Sequence, residues 1–277
     1  MHSSSSESKR LVLFPILVVA ATQLLLLQSV SSLNLTNAYL HHKCLDREGK
    51  YKPGSKYENA LTKIIKGFSE DSEGFRTGWR MTAWGKEPNM TAITYFCRTD
   101  SRGPKCRSCV ATASSELLHK RCPRHRGAVI WYDQCVVDFS TFMTVGMINY
   151  DDNFCMSSAK NLSDDSISFT DRLFLLDNLT KLAITEIDKA IKEAKMPVLY
   201  AAGEKRFGKT NLYGMVQCSG GLSIKGCEEC MTYYMVHFQK CWKRKQGVRV
   251  LSATCNFRYE LYPFISPKSP YYTKFLK

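Results

Sequence analysis

CRTDSRGPKCRSC, residues 97–109, and CSGGLSIKGCEEC, residues 218–230, are one phrase written twice: C-x8-C-x2-C. Each sits inside a set of six cysteines. The first set is Cys44, Cys97, Cys106, Cys109, Cys122 and Cys135; the second is Cys155, Cys218, Cys227, Cys230, Cys241 and Cys255. After the leading cysteine the steps are 9, 3, 13, 13 in one set and 9, 3, 11, 14 in the other. A glycine (Gly127, Gly247) stands eight residues before each last cysteine. Self-similarity on this scale marks a duplication, with the boundary between about Asp138 and Phe154.

Outward from the phrase, each copy repeats a coarse pattern. Before it comes an apolar stripe at helical spacing: Tyr57, Leu61, Ile64, Ile65 and Phe68 in one copy. In the other it is Leu176, Leu179, Ala183, Ile187, Ala190 and Ile191, ending before Pro197. Short β-type runs follow, Ala92–Cys97 and Phe207–Cys218. A second helix is expected near each C-x2-C, and each copy closes on a strand, GAVIWYDQCVVDF or GVRVLSATCNFRYELY. Helices and strands mixed without βαβ regularity predict an α+β unit on an antiparallel sheet.

The 277 residues are 44% hydrophobic and 12% aromatic, which excludes a disordered chain. A single long apolar run, Leu11–Leu27, excludes a polytopic membrane protein. That run follows Lys9 and Arg10 and precedes small residues, so residues 1–32 read as a secretory signal peptide cut after Ser32. An uncut anchor is the competing reading; the run falls short of the ~20 residues a spanning helix needs and contains Pro15 and Gln23. Nothing downstream resembles a second membrane segment, so no stable membrane insertion is expected once the leader is removed. An exported chain with an even cysteine count is expected to be disulfide-bonded, although six cysteines per copy allow 15 pairings. N-x-[S/T] sequons at Asn34, Asn89, Asn161 and Asn178 are the expected N-glycosylation sites.

With the duplicated frame and the closing run CNFRYELYPF in view, the chain resembles the plant cysteine-rich repeat secretory protein family, built of ginkbilobin-homologous (stress-antifungal) domains. The resemblance spans residues 36–138 and 154–262, with a linker at 139–153 and a basic tail at 263–277. It implies two tandem disulfide-stapled modules, each with two helices on a five-stranded antiparallel sheet. It also implies first-to-fifth, second-to-third and fourth-to-sixth pairing. Carried over, this gives Cys44–Cys122, Cys97–Cys106 and Cys109–Cys135, then Cys155–Cys241, Cys218–Cys227 and Cys230–Cys255. Tandem modules of this family also occur on receptor-like kinases and plasmodesmal membrane proteins; the resemblance here is to the purely secreted branch.

Antifungal lectin members bind mannose with an Asn after the first Cys, an Arg six residues before the last and a Glu five residues after it. Arg249 and Glu260 hold two of those offsets in copy two, a donor fork and a hydroxyl acceptor. Met156 takes the Asn position, and copy one has Leu45, Val129 and Ser140. Eleven residues separate Arg249 from Glu260, roughly 36 Å on a straight strand, and no Gly or Pro marks a turn between them.

Other chemistry is sparse. The C-x2-C pairs fit a disulfide frame better than zinc or redox centres. His41 and His42 read as a solvated N-terminal pair. Asp151–Asp152 and Asp164–Asp165 read as solvated linker acids, and His119, His125 and His237 as structural or exposed. No nucleophile–base pairing is legible, so no enzyme, cofactor or metal is expected. After leader removal 37 basic residues face 24 acidic ones, net +13. Outside a cell such a charge favours acidic wall polysaccharide or anionic membrane surfaces; nucleic acid is not an expected partner. The basic stretches are Lys105–Arg107, His119–Arg126 and Lys240–Lys245, with Trp242 placed to stack on a sugar. The sequence thus reads as a secreted apoplastic binding protein, for carbohydrate or cell wall with an antifungal or stress-defence role. The alternative is a partner for receptor ectodomains bearing the same module, which exposed apolar surface near Tyr259, Tyr262 and Phe264 would favour.

Overall fold

The C-x8-C-x2-C phrase becomes a strand end, a loop and a helix. In a computed structural model describing residues 37–163, 167–192 and 199–275, Cys97 ends β3 (Thr91–Cys97), and Cys106 and Cys109 lie one turn apart on α3 (Pro104–Glu116). Cys97 and Cys135, on β5 (Cys135–Ser140), are register partners across the sheet. Residues i and i+3 share a helix face, so one turn of α3 meets two adjacent strands through Cys97–Cys106 and Cys109–Cys135. The second copy repeats this between α5 (Ile224–His237), β8 (Thr210–Cys218) and β10 (Cys255–Glu260). Its bonds are Cys218–Cys227 and Cys230–Cys255, and Cys218 faces Cys255 in register. Cys44–Cys122 and Cys155–Cys241 complete the set, and no cysteine is free. Residues 1–32, where a signal peptide is expected, Asn34, Asp164–Asp165, Pro197 and the side chains of Ile187, Ala190 and Ile191 lie outside the described residues.

The first module is α+β. Its sheet runs β1-β4-β5-β3-β2, antiparallel throughout, with β1 Tyr39–Cys44, β2 Trp79–Trp84 and β4 Ala128–Tyr132. Helix α1 (Lys56–Glu70) starts after Ser55, whose hydroxyl caps it by accepting from the Glu58 N–H at 3.3 Å. A short helix α2 (Ser72–Thr77) follows it. Tyr57, Leu61, Ile64 and Phe68 of α1 pack with Cys109, Val110 and Ala113 of α3 over one face of the sheet.

The second module carries α4 (Phe169–Lys192), α5 and α6 (Gln239–Trp242) on a sheet ordered β11-β7-β8-β10-β9-β6. The remaining strands are β6 Asn153–Ser157, β7 Tyr200–Phe207, β9 Val248–Ser252 and β11 Tyr272–Phe275. Five of the six strands are antiparallel; β11 lies parallel to β7. The stretch 263–277 is therefore more than a basic tail. Phe264 and Ile265 are buried, and β11 extends the sheet.

Two further expectations are corrected. Each closing run is a hairpin, not one strand: β4–β5 turns at Asp133–Gln134 and β9–β10 at Ala253–Thr254. The second turn needs neither Gly nor Pro because the Ser252 hydroxyl accepts from the N–H groups of Thr254 (3.1 Å) and Cys255 (3.0 Å). Trp242 is fully buried in the second module's core beside Phe257 and Tyr259 and presents no face to a sugar.

From Tyr39 onward the residues form one compact unit. Along β4, Ala128, Ile130 and Tyr132 face the helices while Val129 and Trp131 face the other module. Phe96, Val129, Trp131 and Val136 pack there against Leu251 and Ala253, so the helix-free faces of the two sheets meet.

Candidate functional site at the junction of the modules

The hairpin at Ala253–Thr254 removes the distance problem for Arg249 and Glu260. Arg249 is the register partner of Arg258, and Glu260 follows Arg258 by two residues, so all three project from the same sheet face. That face is the one turned to the first module. Arg249 pairs with the Asp133 carboxylate of the β4–β5 turn. Asp133 also accepts from Arg98 at 2.8 Å, and Arg258 approaches it at 3.6 Å. Arg258 donates to Glu260 at 2.9 Å, and its guanidinium lies 4.0 Å from the Phe264 ring centre. Burial alone would raise the Asp133 carboxyl; Arg98, Arg249 and Arg258 together hold it below the usual range. Arg258 is lowered by burial and by its neighbour Arg249.

The two positions are thus brought together, and both are already engaged. The Arg249 side chain is 23% exposed and the Glu260 side chain 10%. Met156, at the offset that carries Asn in the mannose pattern, is the register partner of Arg249 on β6 but offers a thioether. In the first module Val129 is buried in the junction and the Ser140 hydroxyl donates to the Phe142 carbonyl at 2.6 Å. The paired glycines have a shared cause: a Cβ at Gly247 would collide with the Glu260 carboxylate, and one at Gly127 with that of Glu48. Glu48, from the loop after β1, thus fills in one module the place that Glu260 fills in the other.

Asp133, Arg98 and Arg258 went unrecognised from sequence. Their signal was the hairpin itself, since a residue at the β4–β5 turn can reach across only if the chain reverses there. Asp152 is also corrected: it is 1% exposed, not solvated, and pairs with Arg47 (2.7 Å), Lys43 (3.1 Å) and Asn149 (2.9 Å). His125 is buried against Asp46 at 3.0 Å. His41 lies on β1, stacked on Trp131, and is no free tail. His42, Cys44 and Cys122 converge, but the disulfide consumes both sulfurs and leaves one nitrogen, too few donors for a structural metal. Asn161 is exposed and Asn89 and Asn178 are half-buried; Asn178 lies on α4 and donates to Phe174 O at 2.6 Å. Tyr259 and Phe264 are buried; of that trio Tyr262 alone is exposed.

The family model for salt stress response/antifungal domains matches the chain twice, over residues 43–142 and 154–262. The chain belongs to this family. Cysteine-rich repeat secretory protein 18 of Arabidopsis thaliana is 69% identical over 278 residues, 99% of this chain and all of that one. Putative cysteine-rich repeat secretory protein 19 is similar to the same degree, and protein 17 is 52% identical over 97% of both chains. The tandem DUF26 ectodomain of the Arabidopsis cysteine-rich receptor-like protein PDLP8 matches with a TM-score of 0.68 at 20% identity, over 82% of this chain and 100% of its own. That of PDLP5 gives 0.61 at 19%, over 81% and 100%. The protein is a secreted, extracellular cysteine-rich repeat protein with two DUF26 domains in tandem. No helix among the described residues is long and apolar enough to cross a membrane.

Proposed function

We propose that this family member is a non-enzymatic binding protein that holds acidic cell-wall polysaccharide on the outer edge of its first module. The observation carrying this reading is Trp84. It is 55% exposed at the end of edge strand β2, with Lys63 at 5.3 Å over its ring. A depression of about 400 Å³ beside it is lined by Lys56, Asn59, Lys63 and Lys86, with Glu87 as its one acidic residue. An exposed indole offers a face for the C–H side of a sugar ring, and the lysines complement carboxylates along the chain. Arg249 and Glu260 serve the junction in this reading.

The test uses deglycosylated oxidised protein, because Asn89 also borders the depression. Polygalacturonate and neutral mannan are titrated at low and high salt. Binding of polygalacturonate that survives salt and falls about tenfold in Trp84→Ala supports the proposal. Mannan binding lost in Arg249→Ala and intact in Trp84→Ala assigns a lectin site to the junction instead. Binding confined to low salt reports net charge alone.

A second reading, association with receptor ectodomains carrying the same module, draws on the linker. Phe142, Met143, Val145 and Met147 are all exposed within six residues, an apolar concentration unusual for solvated chain. Absence of glycan binding in every titration would favour it.

A further inference from the structure

The first module's helices α1 and α3 leave a groove of about 500 Å³ between them. They run in opposite senses: Tyr57, at the start of α1, donates to the Arg126 carbonyl beyond the end of α3, while Phe75, beyond the end of α1, lies 5.2 Å under Arg107 at the start of α3. The floor is Leu61, Phe68, Phe75 and Val110, and Ile65 and Leu118 form the walls. From Arg107 to His119 the groove follows α3 and the helical turn after it, about 18 Å at helical rise.

We propose that this groove binds a free long-chain fatty acid, with the carboxylate at Arg107 and the aliphatic chain laid between α1 and α3. Its volume and mainly apolar surface, with Thr62, Ser114, Ser115 and His119 among the apolar side chains, suit a small-molecule site. Its charge is asymmetric. Arg107 has no carboxylate partner among the described residues, and Phe75 under its guanidinium fixes the head while leaving its donors outward. It lies in the first turn of α3, where Gly103 supplies no side-chain cap, and the helix field there favours an anion. Glu58 at the opposite end repels a carboxylate and sets the direction of entry.

The opening comes from small residues on α3. Ser114 and Ser115, five and six residues after Cys109, border the groove; the same offsets from Cys230 hold Met235 and Val236.

The secreted, oxidised protein is titrated with dansyl-undecanoate, followed by displacement with palmitate, palmitate methyl ester and anionic vesicles. Saturable fluorescence is expected, displaced at least about tenfold better by palmitate than by its ester. Ser114→Met with Ser115→Val, which imports the second module's side chains, should weaken the probe by at least about tenfold. Arg107→Glu, a surface change safe for folding, should weaken palmitate as much and leave a long-chain alcohol unaffected. No saturable signal, equal affinity in the filled variant, or Arg107→Glu indistinguishable from the native protein would each overturn the proposal. Vesicle binding unaltered by either variant would likewise place lipid contact elsewhere and overturn it.

Discussion

Asp133 and Asp138 stand five residues apart on one hairpin, face the same junction, and are pushed in opposite directions. Asp133 is surrounded by three arginines and held low. Asp138 is raised to about 7 by burial, then by Asp152 and Glu48, with Arg47 opposing. Between its ordinary 3.8 and about 7 the folded chain keeps a proton that the unfolded chain has lost. Folding stability from this group is therefore greatest below about pH 4 and falls as pH rises toward 7, by on the order of 4 kcal/mol. Asp133 and Asp152, both lowered, act in the reverse sense and only at more acid pH. Urea midpoints of Asp138→Asn should match the native protein at pH 4 and exceed it at pH 8. Parallel curves across that range would show that the junction leaves Asp138 ionised. Little of this was legible beforehand, because an isolated Asp in VVDF gives no sign of which face meets solvent.

Among the elements, the helices and the cysteine frame were the legible part. The repeated spacing of the cysteines marked the two copies, their pairing being implied by the family resemblance, and a 3.6-residue apolar stripe marks the core-facing side of a helix. Strand reversals were less legible. The Ser252-centred turn uses one hydroxyl where Gly or Pro would ordinarily signal the bend, so β9 and β10 read as a single strand. The edge strand β11 was hidden for another reason: YTKF is short, basic and only half-buried, and its role depends on a partner about seventy residues earlier. Gly203 makes that pairing sterically feasible. It is the register partner of Thr273, and a Cβ there would collide with the Thr273 carbonyl oxygen. Gly203→Ala is expected to detach β11, raising amide exchange at Tyr272–Phe275 by roughly tenfold or more while β8 and β10 keep their protection. Unchanged exchange at β11 would mean the sheet shifts to admit the methyl.

At the scale of the whole molecule, the tandem arrangement determines what each half can do. The junction buries Phe96, Val129, Trp131 and Val136 of the first module, and the Trp131 indole N–H donates to the Ser252 carbonyl across it at 2.9 Å. Separated from its neighbour, the first module would present this face to water as an apolar patch. Residues 39–142 produced alone, with Trp79 and Trp84 changed to Phe, should show red-shifted Trp131 emission and dye binding relative to the intact protein carrying the same changes and Trp242→Phe, so that Trp131 is the sole indole in both. An unshifted spectrum would show that the first module buries Trp131 unaided. The duplication was legible from the cysteines. That the two copies meet through their helix-free faces, closing over Arg249, was not, since no local pattern records which sheet face a second module will cover.

All six disulfides close within their own copy, three between Cys44 and Cys135 and three between Cys155 and Cys255. During vectorial synthesis, every partner the first copy needs for its crosslinks is made, and emerges, ahead of Cys155. The second copy therefore meets a neighbour that can already be locked, and an oxidant acting early has no later cysteine within reach to mispair. Covalent order can run from the N-terminal side onward, with the non-covalent junction closing last.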